Sequence, residues 1–574
     1  MAKWFIKKVP GNSKVDFLSL GINEIEYQIL LNRGIETKEE ILEFLKPNPR
    51  NFHSSVTMKD MIKAGNLFME ARMKKSKIRI VGDYDVDGVM ATTILFLGLK
   101  GLGYEVDYKI PHRIKDGYGL NLSMVEEAKE DGIGMILTCD NGISAHEAIH
   151  YGKKIGVKMV VTDHHEIPYL EEENIRRENL PEADAIINPK QSACRYPYKN
   201  LCGAAVAYKF IHYLYTVQGK IQEMDSDFIG FAAIATVCDV MELKGENRTI
   251  VKLGLNRLNQ SEHVGLKALK EACGIKSDIS GYHLGFVLGP TINSAGRLDS
   301  AEKALKLFLT KDAMEAKEIA TELRKLNGIR QQMTQDAMES FETQINQSIE
   351  KGEMFCILKD ETIHESIAGI IAGKVKGRLN RPTIVLTKGK DGLKGSGRSV
   401  EGVDIVQEIK KSEEFLLGFG GHKMACGVSL KEEDFEGFKE SVLKNVEYSE
   451  AELEPIVRVD GLLSLADVKI PFIERLNIFA PFGNGNESPL FGVTDLKISN
   501  LKLLGKNNNV LSIQLTENGR IYQGILFQGA EEFLEKYEEN KTRDYRLDLV
   551  YSPKINNFRN QMTVQFEVKD FRFR

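Results

Sequence analysis

The sequence predicts an α/β protein of two α/β lobes joined by a long helix and followed by a small antiparallel β-barrel. Three observations predict it. From about residue 55 to 215 short apolar runs alternate with helical stretches, the rhythm of parallel strands covered by helices. Between 312 and 347 apolar residues recur every three or four positions, and beyond about 450 the pattern changes to strict alternation. At 574 residues the chain exceeds one core and divides into several domains.

The elements follow in order. Residues 1–50 form a mixed N-terminal extension in which EEILEFLKPNP is helix-like and is ended by Pro47 and Pro49. Within 51–300, KSKIRIVGD, YEVDYKIP, GMILTCD, VKMVVTD and ADAIINP read as buried strands, and DGVMATTILFLGLKGLG and SAHEAIHYGKKIG as helices between them. Segment 301–348 places Ile319, Leu323, Leu326, Ile329, Met333, Ala337, Phe341 and Ile345 on one face of a long connecting helix. A second α/β unit occupies 349–450, with MFCILKD, PTIVLTK and GLKGSGRS as strands. In 451–574 Met562, Val564, Phe566 and Val568 alternate, as do Tyr545, Leu547, Leu549 and Tyr551. Leu511, Ile513 and Leu515 follow the Asn-rich turn at 506–509, and AEEFLEKYEE supplies one helix.

A composition of 42% hydrophobic and 28% charged residues is that of a soluble globular protein. The net charge of −5 excludes a chain that is basic throughout, so any nucleic-acid surface is local. Seven cysteines form no CxxC and no Cys/His ligand spacing, which argues against zinc ribbons and fingers and fits reduced thiols. The opening MAKWFIKKVPGNSKVDF interrupts its apolar stretch with lysines, and no run reaches the ~20 apolar residues of a membrane span. A cytoplasmic protein with no membrane partner is expected.

The strand ends carry the chemistry. IRIV runs into Asp83, Asp85 and Asp87, MILT into Asp140 and Asn141, and MVVT into Asp163, His164 and His165. In a parallel sheet these carboxyl ends open on one edge, so five acids and two histidines converge. Carboxylates that close repel by a few kcal/mol per pair at an effective dielectric of ~20, which calls for cations. A shell of carboxylate and imidazole without thiolate suits Mn²⁺ or Mg²⁺, and histidine tilts the choice to Mn²⁺. Two divalent ions sharing an aspartate would steady a phosphate for hydrolysis of an ester or anhydride. Asp and Gly after a strand are also ordinary turn residues, and a lone DxDxDG also fits a calcium loop. The repetition on three strands is what separates the readings.

GDYDVDG, TCDNGIS, TDHH and IATVCDVMEL resemble, in order, the four signature motifs of the DHH phosphoesterase superfamily. NPKQSACRYPYKNLCGAAVAYK, LGPTINSAGRLDSA, HESIAGIIAGKVKGRLNRPTIVL, GSGRSV and FGGHKMACG resemble its RecJ branch, from about residue 45 through the terminal barrel. The resemblance implies a DHH catalytic domain at 51–300, a DHH-associated substrate-binding domain at 349–450 and an OB-like nucleic-acid-binding barrel at 451–574. It implies Asp85, Asp87, Asp140, His164 and Asp239 as metal ligands, with Asp140 as the bridge. The catalytic group then comprises His165, Asp140, Asp163 and Asn141. His165 faces the scissile phosphate or supports the site from behind, and Asp83 touches a metal or its water. Asp163 orients a histidine, and Asn141 holds a water or phosphate or merely makes the turn. Asp239, in the apolar AAIATVCDVMEL, is costly to bury unless bound to a cation or paired in a salt bridge.

Residues 373–399 hold eight lysines and arginines, Lys374 and Arg378 among them, against one acid, Asp391. A charge run is otherwise a solvated face, but glycines interleave this one and let backbone N–H groups approach a strand's phosphates. Arg297 and Arg398 suit phosphate contacts because a planar guanidinium grips two oxygens. Ser366 and Gly369 are similar to a phosphate-capping helix N-terminus, or serve as ordinary capping residues. Gly420, Gly421 and His422 resemble the family's glycine-glycine-histidine element. The barrel aromatics Phe482, Tyr522, Phe527, Tyr551 and Phe558 stack bases or fill the core.

Together the resemblance implies a metal-dependent 5′→3′ exonuclease that hydrolyses single-stranded DNA to 5′-mononucleotides in DNA repair and recombination. A monomer is expected, with single-strand-binding protein and a RecQ-type helicase as partners. The rivals are a DHH phosphodiesterase for short oligonucleotides or cyclic dinucleotides, and a non-catalytic replication scaffold. The basic stretch and the extra barrel favour the nuclease over the first, and the intact Asp and His positions over the second.

Overall fold

A computed structural model describes residues 2–6, 15–172, 175–505, 509–542, 544–558 and 561–574. The Asn-rich turn expected at 506–509 lies, apart from Asn509, outside the described residues, as does the side chain of Phe558.

The first lobe is built on β1 (Ile78–Val81), α1 (Val86–Gly101), β2 (Val106–Lys109), α2 (Leu122–Glu130), β3 (Met135–Cys139), α3 (His146–Lys154), β4 (Lys158–Thr162) and β5 (Ala185–Ile187). All five strands pair in parallel in the order β2-β1-β3-β4-β5. Both faces of β1 are buried, and for that reason IRIV is an unbroken apolar run apart from Arg79, whose guanidinium is neutralised by Asp107 and Asp131. The sequence direction reverses at β1, so the crevice between the carboxyl ends of β1 and β3 is a topological switch point, the usual ligand position in such a sheet. Three further helices close the lobe: α4 (Gly203–Val217), α5 (Phe228–Cys238) and α6 (Gly245–Leu258). The apolar α5 is buried along nearly its whole length and ends at Asp239.

The connecting helical region begins with α7 (Gly289–Leu298) and continues through a short helix, Glu302–Leu309, into α8 (Ala313–Ser340). The expected helix over 312–347 is interrupted: the Ser340 hydroxyl donates back to the Ala337 carbonyl, Phe341 turns fully into the core, and a separate helix runs Glu342–Glu350. The chain divides into two compact units, one of residues 1–3, 294–300 and 321–457, the other of 4–293, 301–320 and 458–574.

The second lobe comprises β6 (Cys356–Lys359), α9 (Glu365–Leu379), β7 (Thr383–Lys388), β8 (Leu393–Arg398), β9 (Gly418–His422) and β10 (Ala425–Leu430). Its sheet order is β9-β10-β8-β7-β6, parallel only between β6 and β7. FGGHKMACG, expected as a glycine-rich element, is therefore a hairpin with β9 on the sheet edge.

The terminal region is an OB-type barrel of β11 (Phe491–Leu504), β12 (Val510–Glu517), β13 (Arg520–Leu526), β14 (Leu547–Phe558) and β15 (Gln561–Phe573), closed by pairing of β11 with β14. Its core includes Leu511, Ile513, Leu515, Leu549, Tyr551 and Phe566, the inward residues of the alternating runs. The same core takes in Tyr27, Ile29, Leu30, Ile41 and Phe44 from two N-terminal helices, Glu24–Asn32 and Lys38–Leu45. Each begins with a capping box, Asn23 with Glu26 and Thr37 with Glu40. Among the described residues no helix is long and apolar enough to cross a membrane.

Candidate active site

Parallel register brings the strand ends level: Val81 pairs with Thr138 and Cys139 with Thr162. The residues that follow, Asp83, Asp140 and Asp163, therefore emerge on one edge. Asp85 caps the N-terminus of α1, its Oδ1 accepting from Gly88 N at 3.1 Å, which leaves Asp87 in the first helical turn facing the same crevice. Asp140 sits at φ 60°, a left-handed conformation that an aspartate tolerates better than most residues. Asp239 arrives from the end of α5.

His164 is the hub. Its Nε2 lies 3.0 Å from Asp140 Oδ1, 3.5 Å from Asp87 Oδ2 and 3.8 Å from Asp239 Oδ2. Three sets of potential ligand atoms form within this cluster: Asp87, His164 and Asp239; Asp83, Asp85 and Asp140; Asp140, His164 and His165. Asp140 belongs to two of them, the placement a bridging carboxylate requires. Burial first, and then the flanking carboxylates, Asp85 acting most on Asp83 and Asp87 most on Asp140 and Asp239, hold the Asp83, Asp140 and Asp239 carboxyls well above the usual range. Burial and Asp85 push Asp87 up to about 6. Burial lowers His164 to about 3, aided by His165, which leaves a neutral imidazole with a free lone pair for a ligand.

The residues fit divalent cations. The buried oxygens Asp83 Oδ1 and Asp140 Oδ1 accept no hydrogen bond, an expensive condition for a carboxylate that a cation relieves. The donors are carboxylate oxygens and imidazole, with no thiolate in any of the three sets.

His165 differs from its neighbour. Asp163 Oδ1 lies 2.7 Å from His165 Nδ1 and also accepts from the His164 and His165 backbone N–H groups, while Oδ2 accepts from Ile143 N. Burial lowers the His165 pKa, but the Asp163 charge and hydrogen bond outweigh it and lift the ring to about 9. Burial raises Asp163 in turn, and His165 overcomes it to hold that carboxyl at about 2. Asp163 thus orients and charges His165 and belongs to none of the three ligand sets.

Asn141 corrects an expectation. Its Nδ2 donates to the Val81 and Cys139 carbonyls and its Oδ1 accepts from Leu120 N. The side chain is fully buried, so it ties β1 to β3 and has no amide hydrogen left for a phosphate or water.

Several residues that complete the site were missed by sequence reasoning. Gly203 N and Ala204 N, opening α4, donate to Asp87 at 2.6 and 2.7 Å. A Cβ on Gly203 would stand 2.7 Å from Asp140 Cβ, so only glycine lets α4 approach. A signal was present in NLCGAAVAYK, a glycine opening an apolar helix. The Tyr118 hydroxyl donates to the Asp140 carbonyl at 3.0 Å and lies 3.2 Å from the His165 ring nitrogens. Asn188 Nδ2 holds the His165 carbonyl, and Asn293 Oδ1 accepts from Val86 N between two acids of the first motif.

The expected nucleic-acid contacts cluster in the second lobe. Arg297 Nη1 donates to the Ser366 carbonyl at 2.6 Å. Ser366 Oγ is 2.7 Å from Nδ1 of His364, the N-cap of α9. Gly369 makes room for Arg398, since a Cβ there would lie 2.9 Å from its Nη2. Arg398 donates to Gly397 O and Ser396 Oγ, pairs with no carboxylate among the described residues, and has its pKa lowered by burial. Such a guanidinium gains from an anion. Arg398 and His422 both stand opposite Ala425, on either side of β10, and thus at one register level of the sheet. Gly420 borders open space, whereas Gly421 is at φ 141° with a would-be Cβ 2.3 Å from Ala425 O.

The basic run 373–399 is not one continuous element. It is divided among α9, β7, a turn and β8, and Arg378 pairs with Glu342, Arg381 with Glu450 and Lys394 with Glu365. Lys374 is exposed on α9 and makes no ion pair among the described residues. Of the barrel aromatics, Tyr551 is fully buried, Phe482 and Tyr522 pack on the core, and Phe527 is half exposed.

Comparison with known proteins agrees with this geometry. The pattern of the DHH family, N-terminal domain, matches residues 77–236, that of the DHHA1 domain 352–447, and that of the RecJ OB domain 459–570. The single-stranded-DNA-specific exonuclease RecJ of Bacillus subtilis is 32% identical over 580 residues, covering 99% of this chain and 70% of its own length. The protein of that name from Haemophilus influenzae is 30% identical, covering 93% of this chain and 94% of its own. The crystal structure of RecJ in complex with Mn²⁺ from Thermus thermophilus superposes with a TM-score of 0.83 at 26% identity, covering 99% of this chain and 79% of that one.

Proposed function

The chain belongs to the RecJ family of single-stranded-DNA-specific exonucleases, and from that premise we propose how its own residues hydrolyse a DNA strand. It is a single-stranded-DNA exonuclease carrying a DHH phosphoesterase domain. The observation that carries the reading is the convergence of Asp87, Asp140 and Asp239 within 4 Å of one imidazole nitrogen on His164.

Asp85, Asp87, Asp140, His164 and Asp239 would hold two divalent ions, Mn²⁺ in preference to Mg²⁺, with Asp140 contributing to both ligand sets and Asp83 serving a metal or its water. Bound there, the ions supply Lewis acidity that lowers the pKa of water and offsets phosphate charge. The Gly203 and Ala204 amides fix the Asp87 carboxylate, so the ligand set needs little reorganisation. His165, kept protonated by Asp163, steadies the departing 3′ oxygen. Arg297, Arg398, Ser366, Gly369 and the Gly420, Gly421 and His422 edge strand hold the strand's phosphates, with Lys374 and Arg378 adding attraction along α9.

Residues 51–300 are the catalytic domain, 349–450 the substrate-binding domain and 451–574 a further single-strand-binding domain. Cleavage runs 5′→3′ and releases 5′-mononucleotides in repair and recombination. The enzyme acts as a cytoplasmic monomer, with single-strand-binding protein and a RecQ-type helicase as partners. The test is incubation with Mn²⁺ and single strands labelled at either end, beside duplex and cyclic-dinucleotide controls. Early release of a 5′-labelled mononucleotide is expected; first loss of the 3′ label, or cleavage of the dinucleotide alone, overturns the reading.

A further inference from the structure

A cavity of about 580 Å³, lined by no acid of the metal cluster, opens between residues 49–56, one face of α4, residues 221–229 and the Leu253 to Arg257 turn of α6. That size suits a small organic ligand. Tyr208, His212 and Thr216 follow one another four residues apart on α4 and so share one wall. Tyr208 and His212 stand roughly 8 and 14 Å along that helix from Gly203, whose amide holds Asp87. The cavity is distinct from the metal centre.

Polar groups are left open to it. Among the described residues the His212 ring nitrogens and the Tyr208 hydroxyl make no hydrogen bond, and Arg257 spends only its Nε, on Asp227 Oδ1 at 2.6 Å. Asp225 commits one oxygen, its Oδ1 accepting from Asp227 N at 2.8 Å. Asp227 thus seats a guanidinium and a carboxylate together, each with hydrogen-bonding capacity to spare. Burial, helped by Lys209, lowers the His212 pKa, and burial with Glu246 pushes Tyr208 up to about 12. The first is therefore a neutral ring and the second a hydroxyl donor. Flat surfaces complete the wall: Phe52 meets the Tyr208 ring edge-on at 6.3 Å between centroids, and the Tyr208 and His212 rings are 6.2 Å apart.

The charges favour an uncharged occupant. Lys209 is paired with Glu246 and covered by the Phe52 ring, 4.3 Å from its centroid. Arg257 is set against Asp227 and Asp225, so no surplus of positive charge remains to collect a phosphate. What the cavity asks for is a planar, neutral molecule with acceptors for Arg257 and donors for Asp225. Guanine has both: N7 and O6 accept on one edge, while N1–H and the N2 amino group donate on the next. We infer that this cavity binds a purine nucleoside through its guanine base, which stacks against Tyr208 and His212, accepts from Arg257 and donates to Asp225. The inference stands apart from strand cleavage.

The test is calorimetry on the full chain in EDTA, which keeps metal-dependent chemistry silent, with deoxyguanosine as probe. One saturable site is expected. Deoxyinosine, which lacks the N2 amino group, should bind roughly tenfold more weakly, and deoxycytidine more weakly still. Asp225 is exposed, so Asp225→Asn keeps the fold and should erase most of the difference between deoxyguanosine and deoxyinosine. His212→Ala should weaken both roughly tenfold by removing a stacking face, with the preference between them kept. Mn²⁺ affinity should equal the parent's in both variants, and saturating oligothymidylate should not displace the nucleoside. Absence of saturable binding, equal affinity for the three nucleosides, or parental binding by His212→Ala overturns the assignment, as does an undiminished preference in Asp225→Asn. Displacement by oligothymidylate overturns it too, by making the cavity part of the strand's path.

Discussion

Asp163 sets the charge of His165 through one 2.7 Å contact, and that contact makes a pH-dependent prediction. In Asp163→Asn the His165 ring loses the partner that lifts it to about 9 and returns toward the ordinary value near 6.5. The protonated ring is the active form, so activity is present below its pKa and lost as pH rises through it. The alkaline limb of the kcat profile is therefore expected to move down by roughly two pH units, with Mn²⁺ binding by calorimetry retained; an unmoved limb refutes the role. Gly203→Ala tests the metal site from the other side. The new Cβ meets Asp140 and displaces the amides that hold Asp87, so Mn²⁺ affinity should fall roughly 10–100-fold while circular dichroism stays native. Asp85, Asp87, Asp140, His164 and Asp239 were legible because their side chains do the work and their letters repeat at strand ends. Gly203 and Ala204 act through backbone N–H groups, and Tyr118 through a contact made only once the chain is folded. Asn141 stayed between two readings because an amide at a strand end has the same letter whether it holds a ligand or, as here, the backbone.

At the scale of elements, the ends of β1, β3 and α5 and the first turn of α1 carry a cluster of acids whose folded pKa values lie above their unfolded ones. Such groups bind protons more tightly in the native state, so the metal-free protein gains from them at low pH and loses that gain as pH rises through about 6, the Asp87 value. Cations reverse the balance, because they bind the ionised form. Mn²⁺ at one fixed concentration is therefore expected to raise Tm more at pH 8 than at pH 5.5; where that concentration is a hundred times the Kd at pH 8, the stabilisation at pH 8 is about 2.7 kcal/mol. Equal shifts at the two pH values in thermal denaturation would count against the cluster as the binding site. The strands themselves were readable, since fully buried parallel strands are continuous apolar runs and barrel strands alternate. The β9 and β10 hairpin was not, because GFGGH has poor intrinsic β preference and pairs only through its neighbours. Nor was the end of α8 at Ser340, where the apolar period continues while the backbone breaks.

Across the whole molecule, the longest-range feature joins the two ends of the sequence. Ile29 and Leu30 share a core with Leu549 and Phe571, a partnership no periodicity announces, because an apolar stripe on a helix does not name what will cover it. Arg248 of α6 reinforces it. Its buried guanidinium donates to the carbonyls of Phe44, Phe479 and Ala480 and lies over the Phe44 ring, 3.6 Å from its centroid. The N-terminal helices are thus part of the barrel's folding unit, which gives a prediction that a separate N-terminal extension does not. Leu30→Ala, at a position with no solvent exposure, should cost roughly 2–5 kcal/mol by cavity formation. The loss should appear as faster amide exchange in β12 and β14, at the opposite end of the sequence. It should also appear as weaker strand binding at temperatures where the barrel begins to open, with Mn²⁺ affinity retained in the cold. If the variant frays only residues 24–45 and the barrel amides keep their protection, the N-terminal helices are a passenger and the shared core contributes little to the barrel.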